Sequence, residues 1–150
     1  MNTKSLASKA LGTGYAIIVG GSILENFVLR TDWFMLGSVI GLLWMLAGLA
    51  GLVLAIRELK KGEGYMLVQS GPYAWSRNPI MAANLLGIMP GLCLVLNTNV
   101  GILGIVAAAF VFFKNVGAEE LELEDQFGEI YQAYRERVSR LLPSPSCTKN

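Results

Sequence analysis

The sequence predicts an all-α integral membrane protein, and three observations carry that prediction. Hydrophobic residues make up 53% of the 150-residue chain and charged residues only 15%, with a mean hydropathy of +0.50. Soluble domains carry roughly a quarter charged residues, because their surfaces must stay hydrated. The apolar residues gather into four stretches close to the about 20 residues that cross a bilayer core. Lysine and arginine then fall almost wholly on one side of those stretches. The length suits one domain, read here as a single membrane domain over residues 1–150.

The first stretch runs from about Leu11 to Leu29 and contains Glu25. Lys4 and Lys9 before an apolar run resemble the start of a signal peptide, but the run continues too far and lacks a convincing small-residue cleavage site. The second stretch, residues 34–56, holds no charge. The third, 79–96, and the fourth, 100–117, are joined by Asn97-Thr98-Asn99, a loop short enough to impose an antiparallel hairpin. Glu25 lies near Arg30 and Asp32, which fits an interfacial position; as an ionisable group in a span it is also a functional candidate.

Orientation follows from the basic residues. Lys4, Lys9, Arg57, Lys60, Lys61, Arg77, Lys114, Arg135, Arg137, Arg140 and Lys149 share one side of a four-span chain, and only Arg30 falls on the other. The positive-inside rule therefore predicts that both termini and the 57–78 connection are cytoplasmic. Gly37 with Gly41, and Gly87 with Gly91, are four apart and so share helix faces suited to close packing. Pro90 is expected to kink the third span and to free a carbonyl that needs another partner.

After residue 117 the chain becomes strongly charged. Leu123, Phe127, Ile130, Tyr134, Val138 and Leu141 recur at spacings of three and four, which predicts an amphipathic helix over about 119–141, ended by Pro143. Such a helix docks on the cytoplasmic face or lies at the lipid interface.

Composition also excludes several chemistries. Without histidine there is no Ser-His-Asp triad, Cys-His pair, His-ligated zinc or histidine base, and no metal site is expected. A net charge of +1 argues against nucleic acid. Cys93 and Cys147 read as free thiols, because a disulfide between them would join lipid depth to water.

Two cytoplasmic segments are candidates for chemistry. Tyr65 to Pro79 mixes aromatics, turn residues and one arginine. Gly71-Pro72 marks a turn, and Asn78-Pro79 pairs an N-cap residue with a proline at the first helical position. On local physics the segment also reads as a helix cap with interfacial Tyr and Trp anchors. Glu119-Glu120 follows the fourth stretch and reads equally as solvated charge favouring a helix amino terminus.

Taken together, GPYAWSRNP opening one membrane helix and EELELEDQFGEIYQAYRERVSRLLP after a helical hairpin resemble the isoprenylcysteine carboxyl methyltransferases, with the related phospholipid N-methyltransferases similar too. The resemblance covers about residues 58–143. It implies S-adenosylmethionine (AdoMet) as methyl donor, held at the cytoplasmic face without a Rossmann sheet, and a lipophilic small-molecule or lipid acceptor reached from the bilayer. It implies cofactor contacts at Tyr65, Met66, Leu67, Val68, Tyr73, Asn78, Pro79, Glu119 and, at lower weight, Glu120, with Arg77 and Asn78 nearest the chemistry. Asn78 stands where the family carries histidine, Met81 where tyrosine is frequent, Ala83 in place of glycine, and Asn115 where prenylcysteine enzymes place a substrate-binding arginine. Asn78 can hydrogen-bond but cannot act as a base. Phospholipid amine methylation, and a non-catalytic protein retaining the fold, are the alternatives. Ala82 and Ala83 are expected to leave room for an acceptor beside the third span.

Overall fold

The computed structural model describes residues 3–29, 34–62 and 65–142, with side chains from Ser8 onward. All elements among these residues are helical, and no strand forms. Helix α1 (Thr3–Ile23) continues as a π-helical turn, Leu24–Leu29. Helix α2 spans Met35–Lys61, and a 3-10 turn spans Gly71–Ala74. Helix α3 covers Pro79–Val95 with a π-helical middle, Ala83–Ile88. Helix α4 covers Gly101–Phe127 and helix α5 covers Glu129–Arg137. Ser8–Leu29, α2 and α4 are each long and apolar enough to cross a membrane.

Helix α1 packs along α4, and α2 packs along α3. The core between the first pair and α3 contains Ala10, Ile18, Met81, Leu85, Met89, Cys93, Ala108, Phe112 and Val116. Most outward side chains on α2, including Leu36, Val39, Leu43 and Leu46, are exposed and apolar. Such a surface is stable where the surrounding solvent is hydrocarbon. Lipid gives no hydrophobic drive for one helix to bind another, so close backbone contact has to supply the attraction.

Glycine supplies that contact at two crossings. A Cβ on Gly87 would lie 2.5 Å from the Cα of Gly48, and one on Gly91 2.6 Å from the backbone nitrogen of Met45. On the other side, a Cβ on Gly104 would meet the Gly14 carbonyl at 2.5 Å. The paired glycines of α3 therefore face α2. Of the α2 pair, Gly41 faces Gly91 and Leu94, whereas Gly37 sits against the ring of Phe34, its own near neighbour.

Pro90 has the expected consequence. It has no N–H to give the Leu86 carbonyl one turn earlier, and the Trp44 indole N–H donates to that carbonyl instead, at 2.8 Å. The π-helical turn immediately precedes the proline. Within that turn, buried Asn84 donates to the Ile80 carbonyl and accepts the Tyr15 hydroxyl at 2.7 Å, tying α1 to α3.

Glu25 is engaged at the α3–α4 connection, while Arg30 and Asp32, which suggested its interfacial position, lie outside the described residues. It is buried, accepting the Thr98 hydroxyl and the Val100 N–H, the latter at 3.2 Å. These donors precede or open α4, whose first N–H groups lack partners within their own helix. A carboxylate from the turn that continues α1 thus holds the loop that opens α4, and the Thr98 hydroxyl accepts the Gly101 N–H at 3.1 Å. Asn97, in the α3–α4 connection, takes φ 48°, a left-handed conformation that asparagine tolerates.

The end of α4 departs from the expected bounds. Nothing interrupts the helix at residues 117–119, and it runs on to Phe127. It stops at Gly128, with φ 56° and ψ −131°, a backbone state open to glycine and strained for other residues. The break shifts the phase of the buried face. Tyr131, Tyr134 and Val138 are buried against Leu67, Leu123 and Phe127, while Ile130 is exposed. Helix α5 also ends at Arg137, and Val138 is already extended. Cys93 is a buried free thiol; Cys147 and Pro143 lie outside the described residues.

The α2–α3 crossing predicts a contrast between two glycines. Gly87→Ala is expected to destabilise the detergent-solubilised protein by about 1–3 kcal/mol, because backbone faces the new methyl. Gly12→Ala meets open space and is expected to gain up to about 1 kcal/mol of helix propensity. Equilibrium unfolding of both variants checks this, and equal shifts would contradict a tight crossing.

Candidate functional site

The segment entering α3 and the segment leaving α5 join through their main chains. The Arg77 N–H donates to the Ser139 carbonyl at 2.9 Å and the Asn78 N–H to the Arg140 carbonyl at 3.1 Å. Ser76 and Ser139 form an isolated parallel bridge. The Ser76 hydroxyl and the Asn78 amide each donate to the Arg140 carbonyl at 3.2 Å. Asn78 therefore precedes α3 without capping it by its side chain. Its amide is committed to the carboxy-terminal segment, while Pro79 occupies the expected first helical position.

This junction holds Arg77, Arg140 and Glu120 together. Arg140 forks onto Glu120, with Nε 3.0 Å from Oε1 and Nη2 2.7 Å from Oε2. The Arg77 Nη1 lies 2.7 Å from the same Oε1. Its direction is off the line of a hydrogen bond, and neither Nη1 nor Nε of Arg77 has a hydrogen-bond acceptor among the described residues. The Arg77 and Glu120 side chains are 9% and 6% exposed, against 47% for Arg140. The buried pair is thus weakly screened, and the Glu120 contact holds the Arg140 guanidinium above its ordinary pKa. Both carboxylate oxygens of Glu120 are occupied by arginine.

Aromatic side chains close the base of the junction. The Tyr134 hydroxyl donates to the Tyr73 carbonyl at 2.7 Å. Burial pushes the Tyr73 phenol up to about 12. It raises Tyr134 as well, and Tyr131 despite the opposing pull of the neighbouring Arg77. All three stay protonated near neutrality, so none serves there as a base. Gly71 takes φ 59°, and a Cβ there would meet the Glu58 side chain at 2.8 Å, so the Gly71-Pro72 turn is sterically specified. The Ser70 hydroxyl donates to Glu58 at 3.1 Å, and Arg137 donates to Gln69 at 2.8 Å, fastening the turn to α2 and α5.

The remaining sequence candidates surround this junction at different depths. Pro79 is buried, Leu67, Val68 and Glu119 are half-buried, and Tyr65 and Met66 are among the most exposed side chains. Glu119 and Glu120 are successive residues of α4, a helix turning by about 100° per residue, so their side chains leave in different directions. Asn115 donates to the Val111 carbonyl of its own helix at 2.7 Å. Arg140 and Tyr131 join the junction from outside the candidate site residues, although both belong to the carboxy-terminal motif. For Tyr131 the signal is the spacing Tyr131, Tyr134, Val138 once a break at Gly128 is allowed.

A cavity of about 350 Å³ opens between α2 and α3, lined by Trp44, Ala47, Gly48, Gly51, Ala82, Ala83, Leu86 and Gly87. Ala82 and Ala83 are the fourth and fifth residues of α3, one turn from Pro79. No metal-ligating cluster occurs among the described residues. No protein-family model matches the chain, and no curated protein matches it.

Removing the carboxylate charge separates the roles of the adjacent glutamates. Glu120→Gln leaves buried Arg77 uncompensated and is expected to cost about 3 kcal/mol. Glu119→Gln is expected to change stability by no more than about 0.5 kcal/mol, as at most sites away from such networks. Chemical unfolding of the two variants measures the difference, and equal costs would contradict the arginine–glutamate assignment.

Proposed function

We propose that the protein is an AdoMet-dependent methyltransferase of the membrane, acting on a lipophilic acceptor. One observation carries the reading. The two segments that resemble the isoprenylcysteine and phospholipid methyltransferases, separated in sequence by α3 and most of α4, meet at one end of the helices through Arg77, Asn78, Glu120 and Arg140. The topology that accompanies it has four spans, with α3 as the shortest. Its 17 residues reach about 25 Å at 1.5 Å per residue, the lower end of what a bilayer core requires. Both termini, the 65–79 segment and α5 then lie in the cytoplasm, where AdoMet is supplied.

The residues present fit the cofactor's chemistry. Glu120 is taken by two arginines, which makes Glu119 the carboxylate for an ammonium group. Leu67 and Val68, half-buried beside the exposed Tyr65 and Met66, offer an apolar and aromatic edge for an adenine. AdoMet supplies a methyl group on a sulfonium, which an acceptor nucleophile displaces in line. The protein's part is to hold the two reactants in that line, and this supplies most of the rate enhancement of such a reaction. Asn78 cannot remove a proton and the buried tyrosines stay protonated, so the acceptor has to arrive as a ready nucleophile, a carboxylate or an unprotonated amine. Asn115, bonded back to its own helix, favours the amine, because no arginine stands there to receive a carboxylate. The cavity at Ala82 and Ala83 offers an acceptor a way in from lipid, with the exposed Trp44 and Leu86 at its margin.

Titration calorimetry of the detergent-solubilised protein with AdoMet tests the cofactor. Saturable binding is expected, weakened by about 1.5–3 kcal/mol in Glu119→Gln, the scale of a charge-assisted hydrogen bond. No binding to folded protein would leave the non-catalytic reading.

Topology is tested separately. Reporters fused after Lys61 and at the carboxy terminus are expected to be cytoplasmic, and one at Thr31 external. Lys61 and Thr31 on the same side would overturn the four-span arrangement.

A further inference from the structure

The junction of Arg77, Glu120 and Arg140 is out of charge balance. Two guanidinium groups meet one carboxylate, both reaching Glu120 Oε1, at 2.7 Å from Arg77 and 3.0 Å from Arg140. Arg77 is more than nine-tenths buried, yet its Nε has no acceptor and its Nη1 is misdirected. A buried donor left without an acceptor carries an unrecovered desolvation cost, and a buried charge is stable only when compensated. Among the described residues no carboxylate besides Glu120 pairs with either arginine. Arg140 uses Nε and Nη2 on Glu120, leaving Nη1 outside that fork, and its side chain is about half exposed. The cluster thus has one negative charge too few and one arginine that reaches the surface.

We propose that Arg77 and Arg140 form a binding site for a ligand oxyanion, a carboxylate or a phosphate, which docks beside Glu120 and completes the charge of the junction. The planar donor fork of arginine matches both groups. Two sources of such a group fit the position: the amino-acid carboxylate of AdoMet, and the phosphate of a lipid acceptor whose amine is methylated. The proposal names a ligand group for the site described above and rests on that reading for its catalytic meaning, while the anion site itself is testable without it.

The experiment uses the full chain in phosphatidylcholine nanodiscs, as wild type, Arg140→Gln and Arg140→Lys. Three probes are titrated: AdoMet, decarboxylated AdoMet, and short-chain dihexanoyl phosphatidic acid. Arg140→Lys keeps the charge and loses the fork, so it supplies a reading even if Arg140→Gln does not fold. If the group is the cofactor's carboxylate, wild type binds AdoMet at least tenfold tighter than its decarboxylated form, and the preference shrinks in the variants. If the group is a lipid phosphate, phosphatidic acid binds wild type, binds the variants at least tenfold more weakly, and AdoMet affinity is unchanged. Either result supports the site. Loss of AdoMet binding by wild type together with arginine-dependent phosphatidic acid binding would sink the methyltransferase reading and keep the anion site. Wild type and variants indistinguishable on all three probes would overturn the anion site, and if AdoMet still bound, would leave the methyltransferase reading standing.

Discussion

A single carboxylate between two guanidinium groups organises one end of this molecule. Glu120 projects from α4, Arg77 precedes α3, and Arg140 follows α5, so three otherwise independent chain segments converge on two oxygen atoms. The main-chain bonds between residues 76–78 and 139–140 then have a fixed geometry in which to form. Such a convergence is costly unless each charge is matched. It also explains why α4 continues past the apolar part of its sequence: ending at residue 117 would leave Glu120 without a rigid support.

Within the apolar region the governing constraint is different. Packing there cannot draw on the release of water, so contact distance decides. Gly48 and Gly87 let the α2 and α3 backbones meet, and the cavity at Ala82 and Ala83 opens beside that same crossing. Small side chains therefore serve two purposes along one helix face, close contact at one level and open space at the next. The Trp44 indole, reaching across to the Leu86 carbonyl, spans the margin between them.

Much of this was legible in the sequence. The apolar stretches gave the long helices, the three-residue loop gave the turn between α3 and α4, and Pro90 announced an orphaned carbonyl. The meeting of Arg77 with Glu120 also followed from two helices running out and back. What escaped was set by backbone phase and distant partners. A regular spacing through Gly128 selected Ile130 as buried, whereas one residue at φ 56° hands that role to Tyr131. Asn78 has the local character of a cap, yet its amide finds Arg140, a partner 62 positions away. Glu119 and Glu120 look equivalent as letters, and only the direction in which each leaves α4 separates a carboxylate locked by arginine from one that is not.

The carboxylate of Glu25 bears on how the chain is assembled. It lies in the turn that continues α1, and its donors at Thr98 and Val100 follow it by more than 70 residues. Until those two donors are made the carboxylate cannot form these bonds, and an ionisable group there is best tolerated where water reaches it. The Thr98 hydroxyl that donates to Glu25 in turn accepts the Gly101 N–H at the start of α4. The contact that joins these two helix ends is therefore among the last to close, because it needs both ends of the 25–100 stretch to be present.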